Sequence, residues 1–304
     1  MSSITVVIPA TTANIGPGFD CLGAALTIYN RFTFRVDGDK PLEISVLGNS
    51  TQKVSTASDN LIYRSFLRVY ETIGQTPPPL SISIDPGVPL SRGLGSSATA
   101  IVGGLVAANH FAGYPLGIHA LRDLAISIEG HPDNVVPALL GNCQLSVSNG
   151  AKWEICQVPW NDRIIPVVAI PDFELSTEEA RAVLPNQISR QDAIFNVAHL
   201  GLLLRGLETG EAQWLRIALA DRIHQPYRQS LIKGYKEVES AALAGGAYGM
   251  VISGAGPTLL ALSHPNHAQG VAESMQSAWN DQGVTATVRI TSLDTQGARI
   301  LTCN

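Results

Sequence analysis

The 304-residue sequence predicts an α+β chain of two domains. Three observations carry this reading. Strand-like and helix-like runs are mixed in both halves without strict βαβ alternation. The length suits about two domains of roughly 100–200 residues each. Hydrophobic residues make up 45% of the chain and charged residues 15%, a composition that supplies cores and is far from that of a disordered polymer.

The elements follow in order. ITVVIP (Ile4–Pro9), TIYNRFTFRV (Thr27–Val36) and LEISVL (Leu42–Leu47) read as strands, the last with period-two alternation. Ile62, Phe66, Val69 and Ile73 then fall on one face of a helix that starts near Asp59 and stops at Gly74. TPPPLSISIDP supplies a proline break and a strand. A glycine-rich turn, GVPLSRGLGSS, leads into a helix from about Ser96 to Phe111, and helices at Leu116–Ile128 and Asp133–Leu140 flank EGHPDN. GNCQLSVSNGAKWEICQVPW reads as a hairpin and IIPVVAIPDFELST as an apolar strand ending in a turn. The domain boundary is placed between Asn149 and Asn161, dividing the chain into 1–155 and 156–304. The second half is helix-rich from Thr177 to Leu243 and strand-like at YGMVISGAG and PTLLALS. It is helical again at His267–Gln282, where Val271, Met275, Ala278 and Trp279 share a face, and TATVRI closes it as a strand.

Composition narrows the function. With 20 Lys and Arg against 25 Asp and Glu the net charge is −5, and no basic run exists to neutralise a phosphate backbone, so nucleic acid is not an expected partner. Cys21, Cys143, Cys156 and Cys303 form no C-x-x-C pair, which argues against a zinc knuckle or redox motif and for a reduced, cytoplasmic chain. The N-terminus lacks a basic leader. The most apolar stretch, Ala98–Ala112, is shorter than the ~20 residues that span a bilayer, so no membrane partner is expected.

The segment PLSRGLGSSAT (Pro89–Thr99) follows a strand and opens a helix. Gly93 and Gly95 permit close backbone approach, and the first helical turn leaves amide groups unpaired, an arrangement suited to phosphate. Ser96 and Ser97 add hydroxyls. The plainer alternative is a tight turn with an N-cap serine. The segment has no Walker A lysine. Gly93–Ala98 does fit G-x-G-x-x-A, but the carboxylate that a dinucleotide fold wants about 20 residues on is missing.

Together with PATTANIGPGFDCLGAAL (Pro9–Leu26) and VISGAGPTLLAL (Val251–Leu262), this segment resembles the three ordered signature motifs of the GHMP small-molecule kinases over nearly the whole chain. The resemblance implies a ribosomal-protein-S5-domain-2-like first domain, a ferredoxin-like second domain and an active site between them. It further implies ATP and Mg²⁺ as cofactors. Thr11, Thr12, Ala13 and Asn14 stand where other branches carry a charged catalytic residue, which is similar to the branch that phosphorylates L-homoserine on its side-chain hydroxyl for threonine synthesis. A kinase of another small alcohol, or a member that binds ATP and ligand without turnover, is the alternative. A homodimer is compatible with the family.

The resemblance also implies roles. Pro89, Leu90, Ser91, Arg92, Gly93, Leu94, Gly95, Ser96, Ser97, Ala98 and Thr99, with Gly254 and Gly256, would hold the nucleotide. Ser97 and Glu129 would ligate Mg²⁺ and, with Asn14 and Asn134, carry catalysis. Asp20 suits the acceptor ammonium, and Arg181 and Arg228 can fork onto its carboxylate. Asn14, Thr177, His131 and Asn134 complete the acceptor pocket. Asp133 is expected to cap the helix that follows it. A Ser97–His131–Asp133 hydrolase is disfavoured because no G-x-S-x-G elbow is present.

Overall fold

The computed structural model describes residues 2–36, 41–48, 54–150 and 152–302. Cys303, one of the four cysteines, lies outside them.

The first sheet is built from β1 (Ser2–Ala13), β2 (Leu22–Val36), β3 (Leu42–Val46) and β4 (Leu80–Asp85), with β5 (Cys143–Ser148) and β6 (Trp153–Val158) extending it from the start of β2. Its main order is β11-β1-β2-β4-β3, where β11 is Arg299–Thr302. Pairing is antiparallel except for β3 with β4. One face is covered by α1 (Leu61–Ile73), α2 (Ser96–Phe111), α3 (Ile118–Glu129) and α4 (Pro132–Leu140), around a core that includes Phe34, Phe66, Ile101 and Leu105. Asn60, not Asp59, caps α1: its side chain accepts the Ile62 amide, and Gly74 closes the helix in the left-handed region.

The second sheet has the antiparallel order β10-β7-β9-β8, from β7 (Ile165–Pro171), β8 (Ala247–Ile252), β9 (Leu259–Ser263) and β10 (Ala286–Ile290). Its inner strands are apolar at every position but Ser263 because both faces are covered. Val167 and Ala169 face α9 (Tyr235–Ala244) and α10 (Ala268–Asp281), whereas Val168 and Ile170 face α6 (Arg190–Thr209) and α7 (Ala212–Ala218). The second of these clusters also takes in Ile15, Leu22, Leu26 and Leu94, so one continuous core joins the two sheets. Two short helices, α5 (Thr177–Ala182) and α8 (Gln225–Arg228), lie at the cleft between the halves.

The α+β, two-sheet architecture agrees with the sequence reading. Three details differ. β1 continues through Thr11 and Thr12 to Ala13, because those threonines are buried and their hydroxyls find partners. A cut at 155/156 falls inside β6, which stays with the first sheet. The chain then returns from the second sheet through β11 to pair with β1. Asp294 pins that return: it accepts the Tyr29 hydroxyl, an Arg299 guanidinium N–H and the Gln296 and Gly297 amides.

Candidate active site

The three glycine-bearing segments, far apart in sequence, are stitched together by short bonds. The Thr11 amide donates to the Leu94 carbonyl (3.1 Å), the Gly254 amide to Ala13 (2.9 Å) and the Thr258 amide to Arg92 (3.3 Å). Ser253 Oγ lies 2.9 Å from Thr12 Oγ1 and 2.7 Å from the Gly93 carbonyl oxygen. Gly93 (φ +74°) could not be another residue without collision, since a Cβ there would sit 2.3 Å from the Ser253 carbonyl oxygen. Thr11 Oγ1 donates to Asn134 Oδ1 (2.8 Å), tying the first segment to α4 as well.

These segments form the floor of a cleft of about 450 Å³. At one wall α2 begins with Gly95 in the left-handed conformation and has no side-chain cap, so the amides of its first turn are unpaired by any capping group. The N-cap serine of the plainer sequence reading is therefore not formed. Within hydrogen-bond reach of this helix start, Ser97 Oγ donates to Glu129 Oε1 at 2.7 Å. Burial raises the Glu129 carboxyl above its usual range; Ser97 and His131 pull it back and Asp133 adds to the rise. His131 Nδ1 donates to Asp133 Oδ1 at 2.6 Å. That bond raises the imidazole's pKa against the opposing effect of burial, with Asp133, Glu129 and Asp20 adding their charge.

In the same cleft, Arg181 forks onto Asp20, with Nη2–Oδ1 at 2.8 Å and Nη1–Oδ2 at 3.1 Å. A capping box positions its short helix: Ser176 Oγ accepts the Glu179 amide and the Glu179 carboxylate accepts the Ser176 amide. Thr177 and Arg181 both line the cleft. Arg228, 1% exposed, donates to the carbonyls of Ala180 (3.0 Å) and Gly254 (3.1 Å). Burial, then the neighbouring Arg181, lower its pKa to about 10.

Most of the expected site residues converge here: Asn14, Asp20, Ser96, Ser97, Glu129, His131, Asn134, Thr177, Arg181, Arg228, Gly254 and Gly256 all line the cleft, as do Leu90 and Ser91. Others do not act as expected. Pro89, Leu94, Ala98 and Thr99 are not among the lining residues; Leu94 packs in the core between the sheets, and Thr99 Oγ1 accepts from Asn30. Arg92 reaches the cleft, but its guanidinium is spent on the carbonyls of Leu90, Pro171 and Asp172 and on Glu174, so it braces the loop against the second domain. Asn14 accepts the Asp20 amide and donates to the Gly254 carbonyl, both at 2.8 Å, which makes it a tie between segments. Asp133 does not cap α4. His131 occupies the N-cap without a side-chain cap bond, and the 1%-exposed Asp133 carboxylate holds His131 instead.

Sequence reasoning missed the apolar end of the cleft, where Val54, Leu61, Ile62, Ile84, Val88 and Leu90 meet from four separate segments. It also missed Asn30, whose carboxamide accepts the Gly87 and Val88 amides and donates to Thr99, fixing that end to α2. Among the described residues no group of three or more His, Cys, Asp or Glu side chains could hold a metal. The Ser97–Glu129 pair offers two hard oxygens, which fits a Mg²⁺ ion whose other ligands are phosphates and water.

A helix start open to anions, facing a cation-rich and anion-bearing acceptor end, defines a small-molecule kinase cleft. The chain belongs to the GHMP kinase family: it matches the GHMP kinases N terminal domain over residues 60–142 and the GHMP kinases C terminal domain over residues 203–281. Within that family its relatives are homoserine kinases. It is 62% identical to homoserine kinase of Crocosphaera subtropica over 302 residues, covering 99% of this chain and 98% of that protein. It is 61% identical to that of Trichormus variabilis over 298 residues, covering 98% and 99%. The crystal structure of homoserine kinase from Cytophaga hutchinsonii superposes with a TM-score of 0.91 at 30% identity, covering 99% of this chain and 98% of that one. Mevalonate kinase of L. major, at TM-score 0.73 and 13% identity with 95% of each chain covered, shares the fold.

Proposed function

We infer that this protein transfers the γ-phosphoryl group of ATP to the side-chain hydroxyl of L-homoserine, giving O-phospho-L-homoserine for threonine biosynthesis. The observation that carries the reading is the pairing of Asp20 with Arg181, with the buried Arg228, in the same cleft as the uncapped start of α2. Homoserine is a zwitterion, and its ammonium and carboxylate match Asp20 and the two arginines. The Asp20–Arg181 bond is then one the substrate exchanges for its own two charges.

Phosphoryl transfer asks the protein mainly for alignment and charge neutralisation. The amides of the first turn of α2 receive the phosphates, and the glycine turn at Gly254 and Gly256 lets backbone approach them. The adenine takes the apolar end at Ile62, Ile84 and Val88. Ser97 and Glu129 would hold Mg²⁺, which supplies charge neutralisation at the phosphate oxygens when bound. His131, whose pKa the bond to Asp133 raises, stands at the junction of the two sites with Asn134, anchored by Thr11, beside it. No side chain is assigned as general base. Among the described residues no helix is long and apolar enough to cross a membrane. A cytoplasmic location is part of this proposal.

The test is ADP release by purified protein with ATP, Mg²⁺ and a panel of acceptors. L-Homoserine should support turnover, while mevalonate and galactose should barely exceed the no-acceptor rate. A homoserine rate no higher than that background would sink the reading.

Two further results are expected. Arg181→Met should raise KM for homoserine about tenfold or more, the scale of one charge-assisted bond, and leave KM for ATP near wild type. Equal changes in both constants would show that Arg181 serves the fold instead. The second concerns pH. Glu129 works as a carboxylate, and burial raises its pKa in the unliganded protein, so kcat/KM, which reports the free enzyme, should fall on acidification at a pH above the usual glutamate range. The same limb should be absent from the residual activity of Glu129→Gln.

A further inference from the structure

Among the described residues the buried Arg228 donates its hydrogen bonds to neutral acceptors, and the charges of Asp20, Asp133 and Asp221 reach it without direct contact. Besides the two carbonyls, its Nη1 lies 3.4 Å from His224 Nδ1, and among the described residues it makes no ion pair. His224 is fully buried and its tautomer is set: Nε2–H donates to the Gly16 carbonyl at 2.8 Å, leaving the Nδ1 lone pair toward Arg228. Asp221 fixes the imidazole's place by accepting the amides of Ile223 (3.1 Å), His224 (2.9 Å) and Gln225 (2.7 Å). Burial pushes the His224 pKa down, in keeping with a neutral ring; the charges of Asp221 and Asp20 oppose that fall and Arg228 adds to it.

Phe19 completes the assembly. Its ring stacks on His224 at 5.1 Å and 21°, and its centroid lies 5.1 Å from the Arg228 Cζ and 5.8 Å from the Arg181 Cζ. An aromatic face attracts cations without neutralising them. It thus serves both guanidiniums at once, while the Asp20 carboxylate pairs with Arg181 and leaves Arg228 to neutral acceptors.

We propose that Phe19 and His224 are positioning residues for acceptor selection: they hold Arg228 as an uncancelled buried cation beside Arg181, so that the acceptor's carboxylate is the anion that completes the site. A buried cation with no carboxylate in direct contact is costly even with Asp20, Asp133 and Asp221 nearby, and the structure retains it where an anionic ligand would relieve that cost. The proposal rests on the homoserine reading above.

The experiment is steady-state kinetics of wild type, Phe19→Leu, Phe19→Tyr, His224→Leu and His224→Asn, with homoserine and ATP varied separately. Phe19→Leu and His224→Leu should raise KM for homoserine about tenfold, with kcat and KM for ATP within about twofold of wild type. Phe19→Tyr keeps the aromatic face and His224→Asn keeps an acceptor near the Nδ1 position, so both should recover most of the loss. An unchanged homoserine KM in Phe19→Leu, or a parallel rise in the ATP KM, would overturn the proposal. Phe19 is only half-buried, so its leucine variant decides the matter even if His224→Leu fails to fold. Wild-type protein without homoserine turnover would instead overturn the parent reading, and this proposal with it.

Discussion

Glu129→Gln should lower homoserine-dependent turnover by about a hundredfold to a thousandfold while leaving the melting temperature within a few degrees of wild type. The two halves of that result have separate causes. Glutamine keeps an oxygen to accept the 2.7 Å bond from Ser97 Oγ, so the contact between α2 and the end of α3 persists. The negative charge is what disappears, and with it the hard anionic oxygen that holds a divalent cation against the phosphates. Raising Mg²⁺ should recover part of the lost rate. If Glu129 were only a partner for Ser97, Ser97→Ala and Glu129→Gln would both be mild, and full activity in either variant would remove the pair from the catalytic apparatus. Measurement of kcat at several Mg²⁺ concentrations, with thermal unfolding alongside, separates these cases.

Gly93→Ala should be the most damaging single-methyl change in the cleft. The added Cβ would lie 2.3 Å from the Ser253 carbonyl oxygen and 2.8 Å from that of Gly256, both backbone atoms of the facing turn, and φ there is +74°. The left-handed conformation alone costs a non-glycine residue about 1–2 kcal/mol. The collision adds to this, because neither carbonyl sits on a flexible side chain. We expect a loss of about 3 kcal/mol or more, on the order of a 5 °C drop in melting temperature for a chain of this size. The surviving enzyme should show a raised KM for ATP, because separating the two turns displaces the start of α2. Gly113→Ala is the control: φ is +80°, but no atom lies within 4 Å of the added carbon. It should show only the backbone cost, about 1 kcal/mol, and unaltered kinetics. Equal effects at the two positions would mean that the contact with the third glycine segment is not what Gly93 is for.

What could be read from the chain was whatever local chemistry settles. The start of α2 is set by Gly95 and the two serines after it. IIPVVAIP and the LLAL of TLLALS announce themselves as strands because both faces of the second sheet are covered, leaving little room for polar residues there. The approach of the three glycine segments to one another was implied by their joint resemblance to the GHMP signature motifs. What stayed hidden depends on distant partners. β11 is four residues long, with Leu301 49% exposed, and it exists because Asp294 turns the chain back toward β1. Arg92 sits in a phosphate-facing motif, and nothing local signals that carbonyls of Pro171 and Asp172 consume its guanidinium. Asn14 and Asp133 had the right chemistry for substrate binding and helix capping, but burial committed them to Gly254 and His131. The apolar end of the cleft draws on segments from Val54 to Leu90, no one of which carries a motif. Phe19 carries no local signal of its role, because the His224 that stacks on it lies more than two hundred positions away.

The most direct measurement is the structure of the protein with a non-hydrolysable ATP analogue, Mg²⁺ and L-homoserine bound together. The phosphates should lie on the amides of Ser96 to Ala98, with Ser97 and Glu129 at the metal. The homoserine carboxylate should sit on Arg181 and Arg228, its ammonium on Asp20, and its hydroxyl should point at the γ-phosphate. Homoserine bound with its carboxylate away from both arginines, or phosphates seated elsewhere than the start of α2, would contradict the assignment of this cleft.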